Sequence, residues 1–220
     1  MPEPTGYTGP AGQPAGSFFG ALRRFFAGAT ATVTLILACL VTYLATAVDG
    51  RSLTDPTAST IGGNELAWQL MINPTAVVNR HEYWRLATGA LVHLNIGHLV
   101  MNLLVIAFIG RELERAYGTL TMTVSMALCA VGGGLAVVWM EPGTVVGGAS
   151  TIGYGMFAML VGLAVSRGTD IRAPIALIVV NVVYTVFVGG VSLSGHLGGL
   201  AVGAVIALVL YLRGRRALAS

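Results

Sequence analysis

Charge is what this sequence has least of. Charged residues make 10% of the 220-residue chain, and lysine is absent: all twelve basic residues are arginine. A soluble domain carries about 25% charged residues, so a water-soluble globule is all but excluded, and a disordered chain with it. The net charge of +3 is too small to imply a nucleic-acid partner. Cysteine is scarce too. Cys39 and Cys129 both fall in apolar runs and read as buried membrane thiols, too few for a disulfide framework or a metal site. What fills the chain instead is apolar: 55% of residues are hydrophobic, and mean hydropathy is +0.79. That is the composition of a polytopic membrane protein.

The few charges lie outside five stretches, 25–48, 86–110, 116–140, 142–166 and 173–212. A helix needs about 20 apolar residues to cross a bilayer. The first four stretches predict one span each, and the fifth two, with a turn near Gly189-Gly190. The expected fold is an all-α membrane protein with six transmembrane helices. Because the stretches are continuously apolar and do not alternate, a β-barrel is disfavoured. With the N-terminus inside, nine arginines fall in inner segments and only Arg51, Arg80 and Arg85 in outer ones. That asymmetry predicts a multi-pass cell-membrane protein with both termini cytoplasmic. Residues 1–24 are expected as a disordered cytoplasmic tail, 25–212 as the membrane domain and 213–220 as a short basic tail. Ala45-Thr46-Ala47 resembles a signal cleavage site, but the long uncharged run and the tail before it favour a retained first span.

The segment from Asp49 to Arg85 is the longest outer loop. Trp68, Tyr83 and Trp84 suit it to the membrane interface. Glycine is abundant, and Gly195, Gly199 and Gly203 recur every four residues, a stripe that lets two helix backbones approach closely. No internal repeat is convincing, which weakens a transporter of two related halves.

Ionisable residues inside a membrane are costly and usually functional. Here they are His93, His98 and His196, and no Asp or Glu enters the five stretches. A carboxylate proton pump, a carboxylate-lined cation site and a Ser-His-Asp triad each lose an essential residue. His98 and Asn102, four apart, share one inward helix face, while His93 is expected to look elsewhere or sit at the interface. Ser150 follows Gly147-Gly148 at a helix start, with Tyr154 four residues on. A hydroxyl beside free helix N-terminal N–H groups suits a nucleophile with an oxyanion hole. Singly, each has an ordinary reading: a serine bonded to its own helix, a packed histidine, a His-Asn clamp between helices. Yet the second, fourth and sixth spans all descend from the outer side, so His98, Asn102, Ser150 and His196 can meet in one outward-opening cavity. Depth is the difficulty. His98 lies 13 residues beyond Arg85, about 20 Å of helix, whereas Ser150 and His196 are near helix starts.

At these residues the sequence resembles the rhomboid intramembrane serine proteases. The matching motifs are Trp84-Arg85, His93 with His98 and Asn102, Gly110 through Glu114, Gly148-Ala149-Ser150 with Tyr154, and Gly195-His196 with Gly199 and Gly203. The likeness covers about residues 80–212 and implies the same six-helix bundle. It implies a Ser150–His196 dyad, with Tyr154 packed on the histidine and His98, Asn102 and the Ser150 N–H stabilising the oxyanion. Gly148 and Gly199 are supporting positions, and Arg85 belongs to the outer-loop element. His81 reads as a plain loop histidine. One position departs: the family commonly has glycine after the nucleophile, and here stands Thr151, which would narrow the oxyanion pocket or alter the turn. Implied substrates are transmembrane proteins met within membrane lipid, and no metal or organic cofactor is implied. The alternatives are a catalytically inactive rhomboid-like protein that binds membrane clients and a small-solute channel or transporter.

Overall fold

The computed structural model describes residues 18–57, 65–187 and 191–219. Among these the regular structure is helical, apart from one antiparallel bridge between Ile72 and Val146. The first charge-free stretch forms α2 (Thr30–Asp49), preceded by α1 (Phe18–Phe25). The expectation of a disordered tail is therefore corrected for 18–24; residues 1–17 lie outside the described residues. Tertiary contacts hold α1. The Phe25 ring meets Phe108 edge-on at 5.4 Å, and the Arg111 guanidinium sits 4.0 Å over that ring. Arg115 donates to the Phe25 and Ala27 carbonyls.

The second stretch is not one helix. The outer segment forms α3 (Glu65–Leu70), α4 (Pro74–Arg80) and α5 (Arg85–Thr88), and a single 3-10 turn follows at Gly89–Leu91. The chain then leaves the helix at Val92, bends at Leu94 and reaches Asn95. Its side-chain oxygen accepts the His98 N–H at 2.9 Å and so caps α6 (Ile96–Val105). One π turn, Ile106–Gly110, joins α6 to α7 (Arg111–Tyr117).

Gly118, at φ 84°, breaks the chain before α8 (Thr119–Met140). Then come α9 (Ser150–Arg167), α10 (Arg172–Phe187) and α11 (Leu193–Ala219). The expected turn at Gly189-Gly190 lies outside the described residues. The basic C-terminal segment is not a separate tail, since α11 runs on through it to Ala219.

Among the described residues, four helical segments are long and apolar enough to cross a membrane: Thr30–Asp49, Ile96–Tyr117, Thr119–Met140 and Leu193–Arg216. The remaining two of the six expected spans are helical but shorter, α9 with 18 residues and α10 with 16. In α9 every residue from Thr151 to Met159 is buried. A helix apolar on all sides belongs inside, so α9 is the post around which the others stand. Outside it, Leu37, Val41, Val100, Leu104, Val124, Leu128, Val205 and Leu208 are exposed. Water would not tolerate so broad an apolar surface; lipid solvates it. The chain is a multi-pass membrane protein.

Candidate active site

The site is built where α9 meets α11. A side-chain carbon at Gly199 would overlap the Thr151 carbonyl, and one at Gly203 would overlap the Gly155 carbonyl. Absence of side chains there brings the two backbones into contact, as the four-residue stripe predicts. Ser150 is the first residue of α9 and His196 the fourth of α11. Ser150 Oγ lies 2.8 Å from His196 Nε2. One turn along α9, the Tyr154 ring stacks on the His196 ring, centroids 4.2 Å apart and planes 12° from parallel.

A third helix completes this arrangement, through a residue that the sequence did not single out. Thr185 of α10 is buried, with its hydroxyl oxygen 2.8 Å from His196 Nδ1 and 2.7 Å from the Tyr154 hydroxyl. A threonine in an apolar run has no local signature, because its role comes from two other helices.

The segment before Ser150 is fastened from outside. Ile72 and Val146 exchange both backbone hydrogen bonds, and Gly148 N–H donates to the Gly89 carbonyl at 2.9 Å. Gly148 has φ +142° and faces the edge of His98. His98, Gly148, Ser150, Thr151 and His196 line one cavity. The depth difficulty is resolved by the break in the second stretch: with α6 starting at Ile96, His98 sits in a first helical turn, level with Ser150 and His196.

His93 corrects an expectation. It is neither at the interface nor facing away, but fully buried in the non-helical segment before α6. Its Nδ1 lies 3.1 Å from the Leu91 carbonyl, and its Nε2 accepts from the Ala149 N–H at 3.5 Å. The ring is thus tied to the segment that leads into Ser150. The helical signal that could have placed it is Asn95, an N-cap residue three before His98.

Asn102 is buried on the His98 face, but its amide nitrogen donates to the His98 carbonyl at 2.8 Å. It does not line the cavity as described. Arg85 is buried and structural: it donates to Glu82 and to the Trp68 and Met71 carbonyls, tying the outer segment together. His81 is an exposed loop residue beside Tyr83. Thr151 lies in the first turn of α9 and is buried. Its methyl group rests against Gly133 and Gly195, which leave room for it, while its buried hydroxyl has no hydrogen-bond partner among the described residues.

Chemically, these residues offer an alcohol bonded to an imidazole, at the start of a helix whose first N–H groups have no partner within the helix. The Rhomboid domain model matches residues 80–213, which takes in all of them. The chain belongs to the rhomboid family. Among curated relatives, Rhomboid-like protease 3 of Toxoplasma gondii is 33% identical over 138 residues, 59% of this chain and 52% of that protein. Rhomboid protease GluP of Bacillus subtilis is 26% identical over 189 residues, 82% of this chain and 35% of the relative. RHOMBOID-like protein 4 of Arabidopsis thaliana is 26% identical over 161 residues, covering 70% and 41%. The chain thus spans about half or less of the length of these rhomboid relatives.

Proposed function

We propose that this rhomboid protein is an intramembrane serine endopeptidase that cleaves transmembrane segments of other membrane proteins. The observation that carries the reading is the 2.8 Å contact of Ser150 Oγ with His196 Nε2, beside a cavity lined by His98 and Gly148. Ser150 Oγ attacks the peptide carbonyl carbon as its proton passes to His196 Nε2. The C–N bond then breaks, and the imidazolium gives that proton to the leaving amine. Water attacks the resulting ester, again losing a proton to His196, and frees Ser150 and the new carboxyl end. The Ser150 N–H and His98 are assigned to the oxyanion. Asn102 joins them once its amide turns from the His98 carbonyl. The dyad needs no ionised partner, which suits a site with low dielectric.

The reading includes six membrane-crossing helices over about 25–212, with α9 and α10 as the two shorter spans. It places the protein in the cell membrane with both termini cytoplasmic, so that the cavity opens outward. Substrates must unwind locally, because a helix hides its peptide groups in its own hydrogen bonds.

The test is labelling of detergent-solubilised protein with a fluorophosphonate, beside cleavage of a transmembrane reporter. Wild type is expected to label and cut, and Ser150→Ala to do neither. His196→Ala is expected to lose cleavage by about a thousandfold or more. Undiminished cleavage in either variant rejects the dyad. Failure of wild type to label, with client helices co-purifying, favours the client-binding alternative.

A further inference from the structure

We infer that Thr185 is the positioning residue of this site, its hydroxyl holding His196 with the proton on Nδ1 and the lone pair of Nε2 facing Ser150. The inference deepens the hydrolytic reading above and rests on it.

Among the described residues, Thr185 Oγ1 has three polar neighbours: the Asn181 carbonyl oxygen at 2.9 Å, the Tyr154 hydroxyl at 2.7 Å and His196 Nδ1 at 2.8 Å. A hydroxyl has one proton to give and two lone pairs to receive. The carbonyl can only accept, so the Thr185 proton goes to Asn181. Both remaining neighbours must then donate. Tyr154 gives its O–H, and His196 gives Nδ1–H. A neutral ring protonated on Nδ1 is bare on Nε2, and that nitrogen lies 2.8 Å from Ser150 Oγ.

The opposite polarity fails at both ends. If Thr185 donated to Nδ1, its oxygen would face the Asn181 carbonyl with no proton between them. Nε2 would then carry its own proton toward Ser150 and could not take another from it. Thr185 and His196 are 5% and 6% exposed, so bulk water is kept from substituting for the hydroxyl. Because the anchor is a backbone carbonyl, the polarity of the chain is set by the α10 fold. When Nε2 takes the serine proton, Nδ1–H keeps its bond to Thr185, so no hydrogen bond has to be remade in that step. Tyr154 fixes the plane of the ring; Thr185 fixes which nitrogen faces the nucleophile.

The test uses full-length protein with isotope-labelled histidine in detergent, at mildly alkaline pH. Nitrogen magnetic resonance distinguishes protonated from bare ring nitrogens, and His196→Gln identifies the His196 signals. Wild type is expected to show Nδ1 protonated and Nε2 bare. Thr185→Val, close to threonine in shape, is expected to give a mixture of tautomers, and Thr185→Ser to restore the single one. Thr185→Ala repeats the test with a smaller side chain. In parallel, the fluorophosphonate labelling rate is expected to fall about tenfold or more in Thr185→Val and to recover in Thr185→Ser. A wild-type ring protonated on Nε2, an unchanged spectrum in Thr185→Val, or equal labelling rates in folded wild type and Thr185→Val overturns the inference. A wild type that never labels counts against hydrolysis alone, since the nitrogen spectra still decide what Thr185 does.

Discussion

At Gly148 the backbone turns with φ +142° beside His98, and a Cβ there would meet His98 Cε1 at 2.6 Å and Nε2 at 2.9 Å. Two costs follow from adding one methyl group. The backbone conformation is strained for any L side chain, by about 1–3 kcal/mol. The His98 ring must also move away from the start of α9. Since a shift of about 1 Å near reacting groups can cost about a hundredfold in rate, Gly148→Ala is expected to lower kcat for reporter cleavage about 10- to 100-fold. KM should change little, because the substrate-binding surface is otherwise intact. Cleavage kinetics beside thermal unfolding separate the two costs, and a variant with wild-type kcat would remove Gly148 and His98 from the oxyanion region. Thr151, three residues further along the chain, is a contrasting case. Read from sequence, it threatened the turn, yet Gly133 and Gly195 of neighbouring helices make space for its methyl group. Only three-dimensional neighbours could reveal that.

Charge-free runs locate α2 and α8 well, because a lipid-facing helix must be apolar along its length. They mislead where burial in protein replaces contact with lipid. The segment from Leu86 to Asn95 is uncharged because it is folded under the outer loop, and its break before α6 is marked only by Asn95. Conversely, Glu114 lies in the membrane-length segment Ile96–Tyr117 although the charge-free run stops short of it. It is 1% exposed and accepts the Ala31 and Thr32 N–H groups, each at 2.8 Å, so it caps the start of α2. Those two partners are more than 80 residues away, beyond the reach of any local pattern. Glu141 does the same service outside the membrane. It accepts from Ser194 N–H at 2.9 Å and Ser192 Oγ at 2.8 Å, fastening the start of α11 to the end of α8. Burial pushes its carboxyl up, but the hydrogen bonds from Ser194 and Ser192 outweigh this and leave it below the ordinary value. A carboxyl depressed by folding adds stability that is complete above its unfolded pKa and is lost as pH falls through the folded one. Acidification through the carboxylate range should therefore lower the unfolding temperature of wild type more than that of Glu141→Gln. Parallel pH curves for the two would show that this tether contributes no acid-sensitive stability.

On the scale of the whole molecule, the arginine-rich end and the cavity are opposite each other. Arg111 and Arg115 donate to carbonyls of the segment from Arg24 to Ala27, and Arg167 pairs with Glu112 at 2.7 Å. At the other end stand Ser150, His196, the buried Arg85 and the Ile72–Val146 bridge. The nine-to-three distribution read along the chain is thus tied to the position of the site. If arginine-rich ends stay cytoplasmic, the cavity must face outward. This can be measured without any substrate. Cys39 and Cys129 are both buried, 0% and 1% exposed, and burial raises each thiol's resistance to labelling. Gly143 lies in the exposed turn between α8 and α9, where a side chain meets open space, and Asp170 lies in the exposed turn between α9 and α10. In intact cells, Gly143→Cys is expected to react with a membrane-impermeant maleimide, and Asp170→Cys only after the membrane is opened. The two turns are joined by a single helix, so they form an internal pair of controls: opposite sidedness also requires that α9, at 18 residues, crosses. Reaction of Asp170→Cys first would turn the site to the cytoplasm, and equal reaction of both in intact cells would deny α9 its passage through the bilayer.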